Sequence, residues 1–376
     1  MFGKNFIPAV LCFRKDEIIM PQSLSQLDKN FQIAQDAGQD LRYQPVPSPI
    51  FQVDGILHQP VSDAFCRLPL EKLELFSQEL QQLAFHTSGA KVRFCTDSPI
   101  IALRATLYNG DDMPHMPRTG SSGFDLYVRE EHSSGYQYRK SFMPQTSGET
   151  LVEGFWETTG APREILINLP LYNGVRSLEI GVVPTAVLLA PKPIEKKPFV
   201  FYGSSITQGG CASRPGNSYS AILSRWFDYD FYNFGFSGNA KGEPAMAKLL
   251  AEFDASIFFL DYDHNAPTVE HLQKTHEPFF KVLRDAHPQM PVVFITKPDF
   301  ENNPAENAQR RAIVYATYQN ALAAGDKRVW FVDGATLFGK QDRDACTVDG
   351  CHPNDLGFYR MAQTLRPVVE EILSQN

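Results

Sequence analysis

The chain has 376 residues, 43% of them hydrophobic and 21% charged, and a net charge of −8. That length allows two domains with a sizeable core, and an acidic balance without a basic run argues against a nucleic-acid partner. No apolar run approaches the ~20 residues of a membrane span, and the six scattered cysteines (Cys12, Cys66, Cys95, Cys211, Cys346, Cys351) read as free thiols rather than a disulfide framework.

Phe6-Ile7-Pro8-Ala9-Val10-Leu11-Cys12-Phe13 is a short apolar patch behind Lys4, followed by Arg14-Lys15-Asp16-Glu17 with no small-residue cleavage site. Residues 1–25 are therefore expected to be a disordered extension. The protein is expected to be cytoplasmic, with secretion or a periplasmic location as the alternative. From 26 to 190 the pattern favours strands. Val92 to Cys95, Ile100 to Leu107, Phe124 to Val128, Glu164 to Leu169 and Ser177 to Val182 are rich in branched and apolar residues. Turn signals such as Asp97-Ser98-Pro99 and Asn109-Gly110 separate them, which suggests a β-sandwich. Helical stretches are few in this half, and Glu71 to Ala84 is the best candidate.

Prolines and lysines cluster between Ala190 and Pro198, marking a linker over 191–197. From 198 to 376 the period changes. Apolar runs at Pro198 to Tyr202, Asp230 to Phe234, Ser256 to Leu260, Val292 to Thr296 and Val329 to Asp333 alternate with helical patterns. The helices are expected at Ser218 to Phe227, Ala245 to Phe253, Glu270 to Ala286, Ala305 to Ala324 and Leu356 to Leu373. Five short strands alternating with helices predict an α/β domain with a parallel sheet covered on both faces. Chemistry in such sheets gathers beyond the carboxyl ends of the strands.

Ser205 lies just past the first of those strands, in Gly203-Ser204-Ser205-Ile206-Thr207. Near the C-terminus, Asp349 stands three residues before His352, the spacing of a carboxylate that holds an imidazole from one turn of chain. Together they supply a nucleophile, a base and its orienter. Gly238, after the second strand, offers a backbone N–H, and Asn265, after the third, a side-chain amide to the same point in space. Gly-x-Ser-x-Gly is absent, which disfavours the α/β-hydrolase fold. Cys346, Cys351 and His352 lack a further pair to complete a metal set, so neither a metal nor a cofactor is expected.

In these four blocks the chain resembles the SGNH (GDSL-type) hydrolase superfamily: Ser205, Gly238 in Ser237-Gly238-Asn239, Asn265 in Asp263-His264-Asn265, and His352 in Asp349-Gly350-Cys351-His352. The resemblance covers about residues 197 to 375. It implies a flavodoxin-like sheet, a triad of Ser205, His352 and Asp349, and an oxyanion hole from the Ser205 and Gly238 amides with the Asn265 side chain. Two positions depart from the family pattern: Ser204 replaces the usual Asp, and Ala266 follows Asn265 where the family has Gly-x-Asn-Asp. Upstream, Gly123-Phe124-Asp125-Leu126-Tyr127 looks like the Gly-x-Asp-Leu-Tyr motif of a sandwich found ahead of some of these hydrolases. It implies a jelly-roll-like domain beside the catalytic one, lending a loop to the cleft; Met113 to Arg118 is the segment nominated.

The expected activity is that of a serine esterase removing a short acyl group, acetyl above others, from a small or carbohydrate-like alcohol. An acyltransferase using the same triad is the alternative. A carbohydrate-binding protein with a vestigial hydrolase half is a third, opposed by the full set Ser205, Gly238, Asn265, Asp349 and His352. His115 and Arg118 in the nominated loop, Arg214 beyond the nucleophile turn and His264 beside Asn265 are candidate substrate contacts. For Arg214 a structural ion pair is an equal reading. His58, His86, His132, His271, His276 and His287 are read as structural or solvated.

Overall fold

A computed structural model describes residues 27–28, 40–57, 65–130, 133, 135–298, 301 and 303–375. The expected extension over 1–25 lies outside the described residues, as do Cys12, His58 and His132. Among the described residues ten strands come first: β1 (Arg42–Val46), β2 (Gln52–Asp54), β3 (Lys91–Thr96), β4 (Ile100–Leu107), β5 (Phe124–Glu130), β6 (Gln137–Phe142), β7 (Leu151–Glu157), β8 (Arg163–Asn168), β9 (Val175–Val182) and β10 (Leu188–Leu189). They form two antiparallel sheets, β1-β9-β4-β7 and β10-β3-β8-β5-β6, with β2 also paired to β3. Alternation sets the buried face. Ile101, Leu103, Ala105 and Leu107 of β4 point into a core shared with Val92, Phe94, Leu126, Val128, Ile165 and Ile167 of the other sheet.

Strands β1, β2, β6, β7 and β10 have no counterpart in the sequence pattern. β6 is an edge strand of largely polar residues, and Gly154 interrupts β7, so neither presents an apolar run. The helix expected over Glu71 to Ala84 is divided into a 3-10 turn (Leu70–Leu75) and α1 (Gln78–Leu83). Ser77 is the reason: its hydroxyl accepts the Leu80 N–H and starts a new helix. Leu80 and Ala84, with Cys66, Leu68 and Phe76, pack against Tyr202, Phe234 and Leu260 of the C-terminal half rather than into the sandwich. Helix α2 (Arg118–Ser121) follows β4.

The C-terminal strands are β11 (Phe199–Gly203), β12 (Phe231–Gly235), β13 (Ile257–Asp261), β14 (Val292–Ile295) and β15 (Val329–Val332). All pair in parallel in the order β12-β11-β13-β14-β15, which is the flavodoxin-like 2-1-3-4-5 sheet. Between them run α3 (Ser205–Gln208), α4 (Tyr219–Phe227), α5 (Pro244–Leu250), α6 (Val269–Ala286), α7 (Pro304–Ala323) and α8 (Asp355–Ser374). Apart from the short α3, each lies within three residues of its expected bounds. Val200 and Tyr202 face α5, α6 and α7, while Phe199 and Phe201 face α4 and α8. Burying each such aromatic is worth about 1.5–3 kcal/mol. No helix among the described residues is long and apolar enough to cross a membrane.

Asp125, from Gly-x-Asp-Leu-Tyr, ties the two halves together. Its buried carboxylate accepts from the Arg214 guanidinium at 3.1 Å, the Gly216 N–H at 2.8 Å and the Asn168 amide at 2.8 Å. Arg214 also donates to the Tyr127 hydroxyl and lies 4.0 Å from the Tyr138 ring centre. In Asp125→Ala the guanidinium loses its counter-charge, so urea unfolding should give a stability lower by about 3 kcal/mol, the low end for a buried pair because Arg214 keeps 22% of its side chain exposed.

His276, buried in α6, sits 2.9 Å from the Thr317 hydroxyl. Burial pushes its imidazole down to about 3, and does the same to His86, helped there by Arg67. An unfolded chain takes up these protons below about 6.5, so the unfolded state binds more protons than the native one between about 6.5 and 3. Stability should therefore fall as the pH drops through that window. Urea midpoints taken from about pH 7 down to about pH 5 should decrease, and His276→Gln should flatten that slope.

Candidate active site

The site begins where β11 ends. A Cβ on Gly203 would come within 2.0 Å of the Thr207 hydroxyl and 2.4 Å of the Asp261 carbonyl, and one on Gly235 within 2.2 Å of the Gln208 nitrogen. Bare glycines at both strand ends let the chain turn directly into α3. Ser204 caps that helix, its hydroxyl accepting the Ile206 N–H at 3.1 Å. A capping oxygen thus remains where the family pattern has Asp. The Ser205 carbonyl accepts from the Gly210 N–H at 2.8 Å, the Gly209 N–H at 3.1 Å and the Tyr172 hydroxyl at 3.1 Å. Only 4% of Ser205 is exposed.

From Ser205 a hydrogen-bonded chain runs outward. Ser205 Oγ lies 2.9 Å from His352 Nε2, and His352 Nδ1 lies 2.7 Å from Asp349 Oδ2. Asp349 Oδ1 accepts the His352 N–H at 2.7 Å and the Cys351 N–H at 3.0 Å. Burial opposes ionisation of Asp349, but these bonds outweigh it and hold the carboxyl down at about 2. An ionised Asp349 accepts from Nδ1–H, which leaves Nε2 as the acceptor facing the Ser205 hydroxyl. The turn is closed by the Val348 N–H to the His352 carbonyl at 3.0 Å and the Asn354 N–H to the Cys346 carbonyl at 2.9 Å.

β12 and β13 are the two neighbours of β11. Gly238 lies just past the end of β12 and Asn265 just past β13, so the sheet order sets them on either side of Ser205. Gly238 has φ +69°, and open space surrounds the position a Cβ would take. Among the described residues the Ser205 and Gly238 N–H groups find no acceptor, and the buried Asn265 Oδ1 has no hydrogen-bond partner. Both loops are held from behind. Gln208 accepts the Ser237 N–H at 2.9 Å while its amide contacts the Leu171 carbonyl and His86 Nδ1, each at 3.0 Å. Arg310 donates to the Asp263 carbonyl at 2.6 Å and the Ala266 carbonyl at 2.9 Å, gripping the turn on both sides of Asn265.

The four candidate substrate contacts separate. His115 reaches the site, its ring centre 5.8 Å from that of His352. His264 Nε2 sits 3.3 Å from Cys351 Sγ, beside the imidazole turn. Arg214 is engaged with Asp125, so of its two readings the ion pair is the one formed. Arg118 lies 3.8 Å from Asp112. Four further residues at the site were not singled out from sequence: Tyr172, Gln208, Cys211 and Arg67. Arg67 is fully buried, donates to the Asn233, Gly235 and Leu83 carbonyls, and is pushed down to about 9 by burial. It anchors the end of β12 before the Gly238 turn. Its signal, a lone Arg in an apolar run, is indistinguishable in sequence from a surface cation.

Residues 196–370 match the GDSL-like lipase/acylhydrolase family, and residues 42–188 match the family described as the N-terminus of SGNH hydro-type esterases. The structure is similar to one described as a GDSL-like lipase from Bacteroides ovatus ATCC 8483, at 29% identity and TM-score 0.80, covering 89% of this chain and 98% of that one. A salicylyl-acyltransferase from a tetracycline biosynthetic pathway aligns over 88% of this chain and 97% of its own, at 20% identity and TM-score 0.74. A family two carbohydrate esterase from Clostridium thermocellum, in complex with cellohexaose, aligns over 77% and 94%, at 17% identity and TM-score 0.58. At these identities the last two share the fold. No curated protein sequence matches the chain.

Proposed function

We propose that this chain, which belongs to the GDSL-like lipase/acylhydrolase family and carries the N-terminal domain of SGNH esterases, removes a short acyl group, acetyl above others, from a small or carbohydrate-like alcohol. The observation that carries the reading is the relay from Ser205 Oγ to His352 Nε2 at 2.9 Å and from Nδ1 to Asp349 at 2.7 Å. His352 takes the hydroxyl proton as Ser205 attacks the ester carbonyl, then returns it to the leaving alcohol. Asp349, ionised down to about pH 2, keeps the imidazole in the useful tautomer and steadies the imidazolium. Oxygen charge in the tetrahedral intermediate is met by the Ser205 and Gly238 N–H groups, which find no acceptor among the described residues, and by the Asn265 side-chain N–H. Water then attacks the acyl-enzyme by the same relay in reverse.

A short acyl group is favoured by what stands against the nucleophile. Tyr172 and His352 both close on Gly210 beside the nucleophile turn, where a Cβ would lie 2.7 Å from the Tyr172 hydroxyl and 3.2 Å from the His352 ring. Transfer to a second alcohol is the alternative, and the fold shared with an acyltransferase over 88% of the chain supports keeping it.

Hydrolysis of p-nitrophenyl acetate, butyrate and octanoate should fall with chain length. Ser205→Ala should lower turnover by at least about 10⁴-fold with an unchanged circular dichroism spectrum; retained activity would reject the assignment. Asp349→Asn, which reverses the tautomer, should lower kcat by about 10⁴-fold.

A further inference from the structure

The fold brings together three metal-binding side chains that no sequence spacing connects. His115 comes from the loop before α2, Cys211 from the turn after α3 and His352 from the turn before α8. One ligand atom of each lies within 4.8 Å of the others. Cys211 is buried with its sulfur free, and His115 is half-buried. We propose that these three residues bind one zinc-type divalent ion, and that the ion switches the enzyme off by occupying its base. The inhibitory consequence rests on the esterase reading above; the binding site does not.

Two imidazoles and a thiolate form a donor set suited to zinc. Zinc holds nitrogen at about 2.0–2.1 Å and sulfur at about 2.3 Å, so the side chains need to close by roughly an ångström. His352 is prepared for this. Its Nδ1–H is held by Asp349 at 2.7 Å, so Nε2 is the acceptor nitrogen and an ion takes it by displacing the Ser205 hydroxyl, as in the carboxylate–histidine pairs that stand behind metal ligands. Binding gives the Nε2 lone pair to the ion and releases the Cys211 thiol proton to solvent. Ser205 Oγ, 2.9 Å from the same nitrogen, then has no base to take its proton.

A second cluster, Asp349, Cys351 and His352, is also compact. Its carboxylate is already committed to the His352 ring and to two backbone N–H groups. A metal there would dismantle the imidazole turn, whereas the His115 set leaves that turn intact.

The test uses the full chain with Co²⁺ as a spectroscopic probe and Zn²⁺ as the inhibitor. One equivalent of Co²⁺ should produce a thiolate-to-cobalt charge-transfer band that Zn²⁺ displaces. Zn²⁺ should stop p-nitrophenyl acetate hydrolysis, and a chelator should restore it. Cys211→Ser should remove the band, and both Cys211→Ser and His115→Asn should raise the Zn²⁺ concentration for half-inhibition by at least about tenfold. Cys351→Ser should change neither. The proposal is overturned if no band forms, if the band survives Cys211→Ser or vanishes in Cys351→Ser, or if His115→Asn is inhibited like the parent. The band is read without turnover, so a chain that binds Co²⁺ yet hydrolyses nothing faults the esterase reading alone. One that hydrolyses esters but ignores both metals faults the metal site alone.

Discussion

The close approach of α3 to the ends of β11 and β12 governs the rest of the site. Gly203 and Gly235 leave no room for a side chain against Thr207, Asp261 and Gln208. Any larger residue would push α3 away from the sheet, and Ser205 with it. The contact also fixes Gln208, whose amide holds the Gly238 turn from behind at Ser237. Thr207 meanwhile donates to the buried Asp261 at 3.0 Å, a carboxylate that Tyr219 also reaches at 3.0 Å. One packing constraint therefore sets the proposed nucleophile, one proposed oxyanion donor and the floor between them.

The N-terminal half is built into this arrangement. Leu171 and Met116 join the core beneath Ile206 and Tyr219, Tyr172 bonds the Ser205 carbonyl, and His115 stands over His352. Asp125 locks the loop that carries Arg214 and Gly216, and Arg67 grips the end of β12. Each is a polar or apolar anchor placed at a junction, and together they make the sandwich part of the wall of the site. The same closeness gathers His115 and Cys211 around the imidazole.

Sequence made the C-terminal sheet legible because its strands are short, mostly apolar runs set between helices with clear periodicity, as with Phe199 to Tyr202 and Ile257 to Leu260. The relay was legible because Asp349 and His352 are local and Ser205 stands at a strand end. What stayed hidden depends on contacts between distant residues. β6 hides because an edge strand can be polar, and the break at Ser77 hides because a cap competes with a good helical period. Tyr172, Gln208 and Arg67 act through backbone carbonyls and N–H groups, which leave no side-chain pattern. Arg214 could be read two ways until Asp125 was seen beside it.

The central claim is that Ser205 forms the covalent bond in the reaction. Its most direct measurement is labelling of the full chain by an alkyl phosphonate ester, followed by mass spectrometry of the peptides. The account predicts one label per chain, on the peptide carrying Ser205, with ester hydrolysis lost in proportion. A label on any other serine, or complete loss of hydrolysis with Ser205 unmodified, would contradict it.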